Sequence, residues 1–276
     1  MAREFEQPST PQEFAPMTDL SPHVMEAPLD VVSYQQALAR PDVNLVHTTG
    51  EIPTWASDLE QAIAKTQGLF EFQFYNQDIT HLEAALVTSL EDIPFNNEHV
   101  QALFAQRILD LAQFMTAVSG ERQPFVSLRT VDLRYFKPGQ SSVSRELHVD
   151  STALTLTETF CGRGTEWTDN GNVKREAFAG KKIQSVETPV ATYLHDPRQM
   201  RSFGAYNTSI LKGEIRGFEN EDAGSLEFLQ NFLSPDEITP FNVGQGLVHR
   251  GPGIEPGETR FLVTISTFKP PKLPTE

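Results

Sequence analysis

Two short segments that lie far apart in the chain carry residue types that together can bind a metal ion and an anion. His148-Val149-Asp150 supplies one imidazole and one carboxylate, and His249 supplies a second imidazole. Two histidines and one carboxylate on one side of a metal ion leave the opposite positions open, which suits non-heme Fe(II) centres that activate oxygen. Arg260 follows His249 after ten intervening residues, and its guanidinium can hold a dicarboxylate cosubstrate through paired hydrogen bonds.

The His148-Val149-Asp150 triplet has the spacing that two metal ligands on one strand require. Residues two apart on a strand point to the same face, so His148 and Asp150 can converge on one ion while Val149 packs behind them. A distant His249 then completes three ligands. The alternative for the triplet alone is a surface histidine and aspartate that lie two apart by chance.

Arg260 opens a run, residues 260–266, that alternates like a strand. Alternation places Arg260, Leu262, Thr264 and Ser266 on one face. A buried arginine at a strand start needs an anionic partner. A bound anion is one candidate for that partner, and Glu258, two residues earlier in the chain, is the other.

Residues 29–120 are predicted to be mainly helical and to buttress the rest of the same globular unit. Apolar residues recur there at helical spacing in three series, namely Trp55, Leu59 and Ile63, then Leu82, Leu86 and Leu90, then Val100, Leu103, Phe104, Ile108, Leu111 and Met115. Asn96 or Asn97 is placed to cap the last helix, and Gly120 to end it. Phe70, Phe72 and Phe74 alternate with polar residues as in a strand, and residues 43–47 are a second strand candidate.

Residues 121–268 are predicted to form the β core that holds the candidate ligands. Short β-branched or aromatic segments alternate there with turn residues, at 125–136, 153–160, 182–186, 190–194, 209–212, 246–249 and 260–268. The predicted fold is therefore α+β, with a double-stranded β-helix (jelly-roll) core that N-terminal helices buttress. The proline-rich residues 1–28 are predicted to be an extended or disordered arm, and residues 269–276 a tail.

Composition narrows the class of partner. With 37 acidic against 22 basic residues the formal charge is -15, which disfavours nucleic acids and anionic membranes as partners. No stretch approaches the roughly 20 apolar residues needed to span a bilayer, and the first residues lack the apolar core of a signal peptide. The single Cys161 agrees with a reducing compartment. We expect a cytoplasmic protein that acts on a small molecule; composition does not determine its oligomeric state.

The ordered set of motifs resembles the Fe(II)- and 2-oxoglutarate-dependent dioxygenases. That family has an Arg-Tyr strand and a Pro-Gly turn, here residues 134–139, followed by HxD, a distal histidine and an arginine about ten residues later. A finer resemblance links the segments 160–167, 211–214 and 246–250 to an uncharacterised bacterial family with no assigned activity. The first resemblance covers Val126 to Phe268, and the second names no substrate.

The dioxygenase resemblance implies roles for individual residues. His148, Asp150 and His249 would be the ligands of Fe(II), 2-oxoglutarate would chelate the metal, and Arg260 would pair with its far carboxylate. Tyr135 matches a position whose hydroxyl often helps to hold the cosubstrate, although a core aromatic is the alternative. Thr264 or Ser266 can assist Arg260, while Leu262 departs from the family's frequent Arg-x-Ser pattern.

The implied reaction uses molecular oxygen and yields succinate, carbon dioxide and an alcohol. Halogenating relatives have a small residue at the position of Asp150. Because this chain keeps the carboxylate, hydroxylation, or a related desaturation or cyclisation, is the expected outcome. Glu166 and Trp167 are candidates for a lid or pocket wall that faces substrate, with a packed tryptophan in a glycine-rich turn as the alternative. Arg129 and Arg134 either line the core or pair with surface carboxylates.

Two other classes of function stay open. The first is a cupin-like metal-binding protein or metalloenzyme that does not use 2-oxoglutarate. The second is a non-enzymatic interaction protein whose acidic surface and proline-rich arm bind a partner. The three classes differ in whether the protein binds metal and whether Arg260 binds an anion.

Overall fold

A computed structural model of the protein describes residues 22–66, 68–132, 146–178, 190–253 and 258–271. The helices are α1 (Val31–Ala39), α2 (Ala56–Lys65), α3 (Leu82–Leu90), α4 (Glu98–Ser119), α5 (Arg175–Phe178) and α6 (Ala223–Leu229). The strands are β1 (Val24–Glu26), β2 (Leu45–Thr48), β3 (Glu71–Phe74), β4 (Phe125–Asp132), β5 (Leu154–Cys161), β6 (Glu166–Trp167), β7 (Arg201–Ser202), β8 (Thr208–Lys212), β9 (His249–Arg250) and β10 (Thr259–Thr267).

The strands form one large and one small sheet. The large sheet has the order β1-β2-β8-β5-β10-β4-β3, and the small sheet has the order β7-β6-β9. Neighbours are antiparallel except for β1 and β2, which are parallel. Strands from both halves of the chain therefore share the large sheet, and the protein has a mixed α and β architecture.

The two faces of the large sheet differ in polarity. On β5 and β10, Leu156 and Ile265 lie opposite each other and belong to the main apolar core with helix residues such as Phe104. Their chain neighbours Thr155 and Ser266 also lie opposite each other and point to the other face. Each fully buried large apolar side chain stabilises the fold by about 1.5–3 kcal/mol, so the helical layer anchors the sheet while its polar face stays available.

The helices predicted from apolar spacing are confirmed at α2, α3 and α4. The side chain of Asn97 accepts a hydrogen bond from the backbone N–H of His99 at 2.9 Å, and so caps α4. Gly120 ends this helix in the left-handed conformation, with a φ of 75°, which glycine adopts without steric cost. The alternation at Phe72 and Phe74 is confirmed too, because both are buried on β3 between exposed polar residues.

Several strand predictions need correction. Residues 190–194 are not a strand but begin with a 3-10 turn at Val190–Thr192, because the backbone N–H groups of Tyr193 and Leu194 donate back to the carbonyl of Val190. The predicted strand 246–249 is reduced to β9, which starts at His249. Helices α1, α5 and α6 were not predicted. The predicted strand 182–186 lies outside the described residues.

The predicted N-terminal arm is partly structured. Strand β1 lies within residues 1–28, so the last part of the predicted arm joins the large sheet through β2. The jelly-roll topology of residues 121–268 stays a prediction, since parts of that stretch lie outside the described residues. In the parts of the chain that the structure describes, no helix combines the length and apolar character that crossing a membrane requires.

Candidate metal centre

The two histidines predicted as ligands lie directly opposite each other on neighbouring chain segments. The backbone N–H of His148 donates to the carbonyl of His249 at 2.9 Å, and the N–H of His249 donates to the carbonyl of His148 at 3.0 Å. Residues that exchange two backbone hydrogen bonds point their side chains to the same face. The ring centroids of the two histidines accordingly lie 4.3 Å apart, although 101 positions separate them in the sequence (249 minus 148).

Asp150 completes a compact set of three potential ligands. Its Oδ1 lies 3.6 Å from Nε2 of His148 and 3.5 Å from Nε2 of His249. Ligand atoms about 2.1 Å from a common metal ion lie roughly 3.0–3.4 Å from one another. The three side chains form a group that could hold a metal ion, so their geometry fits a shared ion with small adjustments.

Backbone carbonyls orient both imidazole rings. Nδ1 of His148 donates to the carbonyl of Glu146 at 2.7 Å, and Nδ1 of His249 donates to the carbonyl of Leu247 at 3.1 Å. A proton held on Nδ1 leaves the lone pair on Nε2, which is the atom that faces Asp150 in both residues. Each ring therefore presents a metal-binding nitrogen to the same point.

The charges of the three side chains reinforce this arrangement. Burial, and then the neighbouring His249, lower the pKa of His148 to about 4. Burial alone would lower the pKa of His249 and raise that of Asp150, but their mutual attraction and hydrogen bond raise the pKa of His249 and hold that of Asp150 well below its usual range. At neutral pH His148 is neutral and Asp150 is ionised, which are the forms that bind metal, whereas His249 must release the proton that its raised pKa favours before Nε2 can bind an ion.

Hydroxyl groups on the polar face of the large sheet support Asp150. The hydroxyl of Thr155 is close enough to the Asp150 carboxylate to help lower its pKa, and it contacts the hydroxyls of Thr152 at 2.8 Å and Ser266 at 3.3 Å. Such partners hold a ligating carboxylate in one orientation. Thr155 was not singled out in the sequence, because the alternation of β5 alone does not reveal which threonine reaches a ligand.

Two glycines allow neighbouring segments to approach the triplet. A Cβ at Gly213 would lie 2.6 Å from the carbonyl oxygen of Asp150 and would overlap that of Thr152. A Cβ at Gly246 would overlap the side chain of Val149. These glycines belong to two of the segments that carry the finer family resemblance, and close packing against the metal-binding triplet gives a physical reason for glycine at both positions.

A cavity of about 430 Å³ opens beside the three potential ligands. His148, Asp150 and His249 line it, as do Arg260, Thr264 and Ser266 from β10. Its floor is therefore the polar face of the large sheet. The alternation predicted for residues 260–266 is confirmed, and the structure brings the predicted cosubstrate-binding residues Arg260 and Thr264 to the cavity that holds the candidate ligands.

Arg260 is buried with 3% of its surface exposed, and it forms no ion pair with another described residue. One of its terminal nitrogens donates to the hydroxyl of Thr165 at 2.8 Å, while its Nε has no partner among the residues described. Glu258, the local alternative, instead pairs with Arg163 at 2.9 Å. Burial, and then the charge of Arg129, lower the pKa of Arg260 to about 9, so it stays cationic at neutral pH.

Of the predicted substrate residues that the structure describes, one lines the cavity and two do not. Arg129 lines the cavity from β4. Trp167 does not, because it packs against Phe203 in an apolar cluster with 1% of its surface exposed. Glu166 is also absent from the cavity wall and pairs with Arg250 at 2.7 Å. The prediction that Glu166 and Trp167 face substrate is therefore not supported, and the alternative of a packed tryptophan describes Trp167.

Two predicted site residues lie in a stretch about which the structure gives no information. Arg134 and Tyr135 follow β4 and lie outside the described residues, together with the Pro-Gly turn at 138–139. Their proposed roles stay predictions. The signal that sequence reasoning missed is the aromatic part of the cavity wall, where Phe125 and Phe228 contribute; among 19 phenylalanines, spacing alone does not separate these two from the core.

Solved structures similar to this chain include several oxygenases. Dioxygenase for auxin oxidation 1 from Arabidopsis thaliana, in its complex with 2-oxoglutarate, is 14% identical, with 90% of this chain and 92% of that chain covered and a TM-score of 0.40. The dioxygenase for auxin oxidation in rice is 11% identical, with 91% and 84% covered and a TM-score of 0.39. A putative oxygenase from Shewanella oneidensis is 10% identical, with 92% of both chains covered and a TM-score of 0.39.

These TM-scores are too low to establish a function for this chain. A search of curated proteins finds no match. A family model described as "Protein of unknown function (DUF1826)" matches residues 33–266, a range that includes both histidines, Asp150 and Arg260. The finer resemblance to an uncharacterised family is thereby confirmed, and the chain belongs to the DUF1826 family.

Proposed function

We propose that this protein is an Fe(II)- and 2-oxoglutarate-dependent dioxygenase that hydroxylates an unactivated carbon of a small molecule. One observation carries the proposal. His148, His249 and Asp150 converge at the wall of a cavity in which Arg260, a buried cation, forms no ion pair with any described carboxylate. Three ligands on one side of an ion and a separate cation are the two features that a chelating dicarboxylate requires.

The donor set fits Fe(II) by its chemistry. Two imidazoles and one carboxylate suit iron with open coordination positions, and both rings already present Nε2 to the site. Bound iron, with 2-oxoglutarate and molecular oxygen, supplies the oxidation, and succinate and carbon dioxide are the products of the cosubstrate. The protein supplies the geometry, the electrostatics and a cavity that limits access of water.

Each residue has a distinct task in this proposal. His148, Asp150 and His249 hold the metal, and the nearby hydroxyl of Thr155 favours the ionised form of Asp150 that binds it. Arg260 binds the far carboxylate of 2-oxoglutarate, because an anion there would neutralise a cation that the described residues leave uncompensated. Thr264 and Ser266 line the same cavity, and their hydroxyls offer hydrogen bonds to the cosubstrate between the metal and Arg260.

The first experiment tests metal binding. Purified protein without oxygen is titrated with Fe(II), and the variants His249→Ala and Asp150→Ala are compared with His195→Ala, which removes an exposed histidine far from the ligand set in sequence. We expect one Fe(II) per chain for the wild type and the control, and loss of tight binding in the two ligand variants. Equal metal content in all four proteins would support the non-enzymatic alternative.

The second experiment separates the dioxygenase from a cupin-like metal protein. Anaerobic Fe(II) protein is mixed with 2-oxoglutarate, and the visible charge-transfer band of the chelate is followed. Arg260→Gln is expected to weaken 2-oxoglutarate binding while the metal is retained, and succinate is expected to form once oxygen and a substrate panel are added. If the wild type binds Fe(II) but shows neither the band nor cosubstrate binding, the dioxygenase proposal fails.

A further inference from the structure

The cavity contains a second arginine that the proposed function does not use. Arg129 lies on β4, directly opposite Leu262 of β10, and its side chain lines the cavity. Its Nε is buried and has no hydrogen-bond partner among the residues described. Burial lowers the pKa of this guanidinium, which shows that its surroundings do not stabilise the charge as water would.

The described acidic groups near Arg129 attract its charge, Glu71 and Asp150 among them, but none of them forms an ion pair with it. Glu71 lies opposite Arg129 on the edge strand β3, but its carboxylate is exposed and accepts a hydrogen bond from the side chain of Gln73 at 2.8 Å. Asp222, at the cavity wall, caps α6 by accepting from the backbone of Ser225 at 3.0 Å. The chain that follows β4, residues 133–145, contains no aspartate or glutamate. A buried guanidinium without a partner is costly unless an anion joins it.

Arg129 and the guanidinium of Arg260 lie on opposite sides of Leu262. Leu262 lies between Arg129 on β4 and Thr159 on β5. The guanidinium of Arg260 extends towards Thr165 and Thr159, at 2.8 Å and 3.5 Å, which is the side of Leu262 away from Arg129. The two cations repel each other enough to contribute to the lowered pKa of Arg260. One anion at Arg260 therefore leaves a second anion position at Arg129.

The formal charges of the loaded metal centre balance without Arg129. Arg250 at the cavity wall is neutralised by Glu166. Fe(II) with Asp150 has a net charge of plus one, 2-oxoglutarate adds minus two, and Arg260 adds plus one, so that the loaded centre is neutral. Arg129 adds one positive charge to this cavity, and its carboxylate neighbours among the described residues are the exposed Glu71 and Asp150, which is already counted with the metal. Neither Glu71 nor Asp222 forms an ion pair with Arg129, so a carboxylate of a bound molecule could supply the charge-assisted hydrogen bonds that this guanidinium lacks.

The wall beyond Arg129 is aromatic. Phe125 lies four residues earlier on β4, and alternation places it on the same face as Arg129. Phe228 of α6 packs edge-on against Phe125, with ring centroids 5.9 Å apart, and both side chains line the cavity. Half-buried aromatic rings offer a surface for an apolar body.

We infer that the primary substrate is a monocarboxylate with an apolar or aromatic body, whose carboxylate Arg129 binds while the body lies against Phe125 and Phe228. This inference rests on the proposed function, because it takes 2-oxoglutarate to be the anion at Arg260. Arg129 is thus a specificity-determining residue. It selects for a carboxylate over the neutral amide of the same shape.

The test compares carboxylates with their matched primary amides. Wild-type protein, loaded with Fe(II) and 2-oxoglutarate without oxygen, is titrated calorimetrically with phenylpropionate and hexanoate and with the corresponding amides. We expect the carboxylates to bind at least about 30-fold more tightly than the amides, as for a charge-assisted contact in a buried site. Arg129→Gln should remove this preference, and Arg129→Lys should keep part of it. Glu71→Gln, which removes the exposed carboxylate opposite Arg129 on β3, should keep the preference for carboxylates.

The outcomes separate this inference from the proposed function. If wild-type protein binds no 2-oxoglutarate but prefers carboxylates in an Arg129-dependent manner, the dioxygenase proposal fails and the anion site stands. If 2-oxoglutarate binds but no carboxylate of the panel does, if the amides bind equally well, or if the preference survives in Arg129→Gln, the inference is wrong. Loss of 2-oxoglutarate binding in Arg129→Gln to the extent seen in Arg260→Gln would also overturn it, because Arg129 would then belong to the cosubstrate site.

Discussion

Gly213→Ala tests whether backbone packing positions the metal ligands. A Cβ at this residue would lie 2.6 Å from the carbonyl oxygen of Asp150, whereas carbon and oxygen atoms in contact lie about 3.3 Å apart. The backbone must therefore shift by about 0.7 Å or more at Gly213, or at Asp150 and Thr152, whose carbonyls the Cβ meets. The Asp150 carbonyl also accepts the backbone N–H of Glu214 at 2.8 Å. A functional constellation tolerates roughly 0.5 Å, so the displacement is large enough to disturb the site.

The expected magnitude has two parts. Overpacking of this kind lowers the free energy of unfolding by about 1–3 kcal/mol, and misplacing a ligand without removing it lowers metal affinity by about 10–100-fold. Urea denaturation of the metal-free protein measures the first, and anaerobic Fe(II) titration measures the second. The matched control is Gly253→Ala, since no atom of the described residues lies within 4 Å of a Cβ there, and its free energy of unfolding should stay within about 0.5 kcal/mol of the wild type. Wild-type metal affinity in Gly213→Ala would refute the reasoning.

Three further predictions follow from single contacts. Thr155→Val should weaken Fe(II) binding by about tenfold in the same titration without changing the metal stoichiometry, because the Asp150 carboxylate loses a neighbouring hydroxyl that favours its ionised form. Unchanged affinity would contradict the role of this hydroxyl. Glu158→Ala should lower the free energy of unfolding by about 3 kcal/mol, since the buried carboxylate pairs with Arg107 at 2.6 Å. Asp42→Ala, which removes the exposed ion pair with Arg40, should lower it by less than about 1 kcal/mol. Equal losses in urea denaturation would contradict this ranking. Burial raises the pKa of the Cys161 thiol to about 12, so Cys161 should resist a thiol reagent at pH 8 in the folded protein and react at once in guanidinium. Because the folded state keeps this proton when the unfolded state has lost it, the contribution of Cys161 to stability should fall as pH rises from the unfolded pKa of about 9 towards 12. Rapid labelling of Cys161 in the folded protein would contradict this prediction, because it would show that the thiol is accessible.

Local periodicity explains which elements were predictable from the sequence. Helices α2, α3 and α4 follow from apolar spacing because one stripe of each helix meets the sheet. Helix α1 was missed because two valines at its start favour strands as readily as helices, and its cap at Asp30 resembles an ordinary turn. Residues 190–194 are apolar and β-branched, yet they form a turn, since the carbonyl of Val190 is satisfied locally and not by a neighbouring strand.

The sequence by itself determined the types and order of the candidate ligands, and the face of β10 on which Arg260 lies. These depend on residue identity and on the two-residue period of a strand, which are local properties. Only the tertiary structure decided that His148 pairs with His249, that both rings turn Nε2 towards Asp150, and that Glu258 is taken by Arg163 and leaves Arg260 without that partner. The tertiary structure also shows that Trp167 is buried away from the cavity and that Arg129 lines it. Such outcomes depend on contacts between residues far apart in the chain, and whether a charge finds a partner depends on every group packed around it.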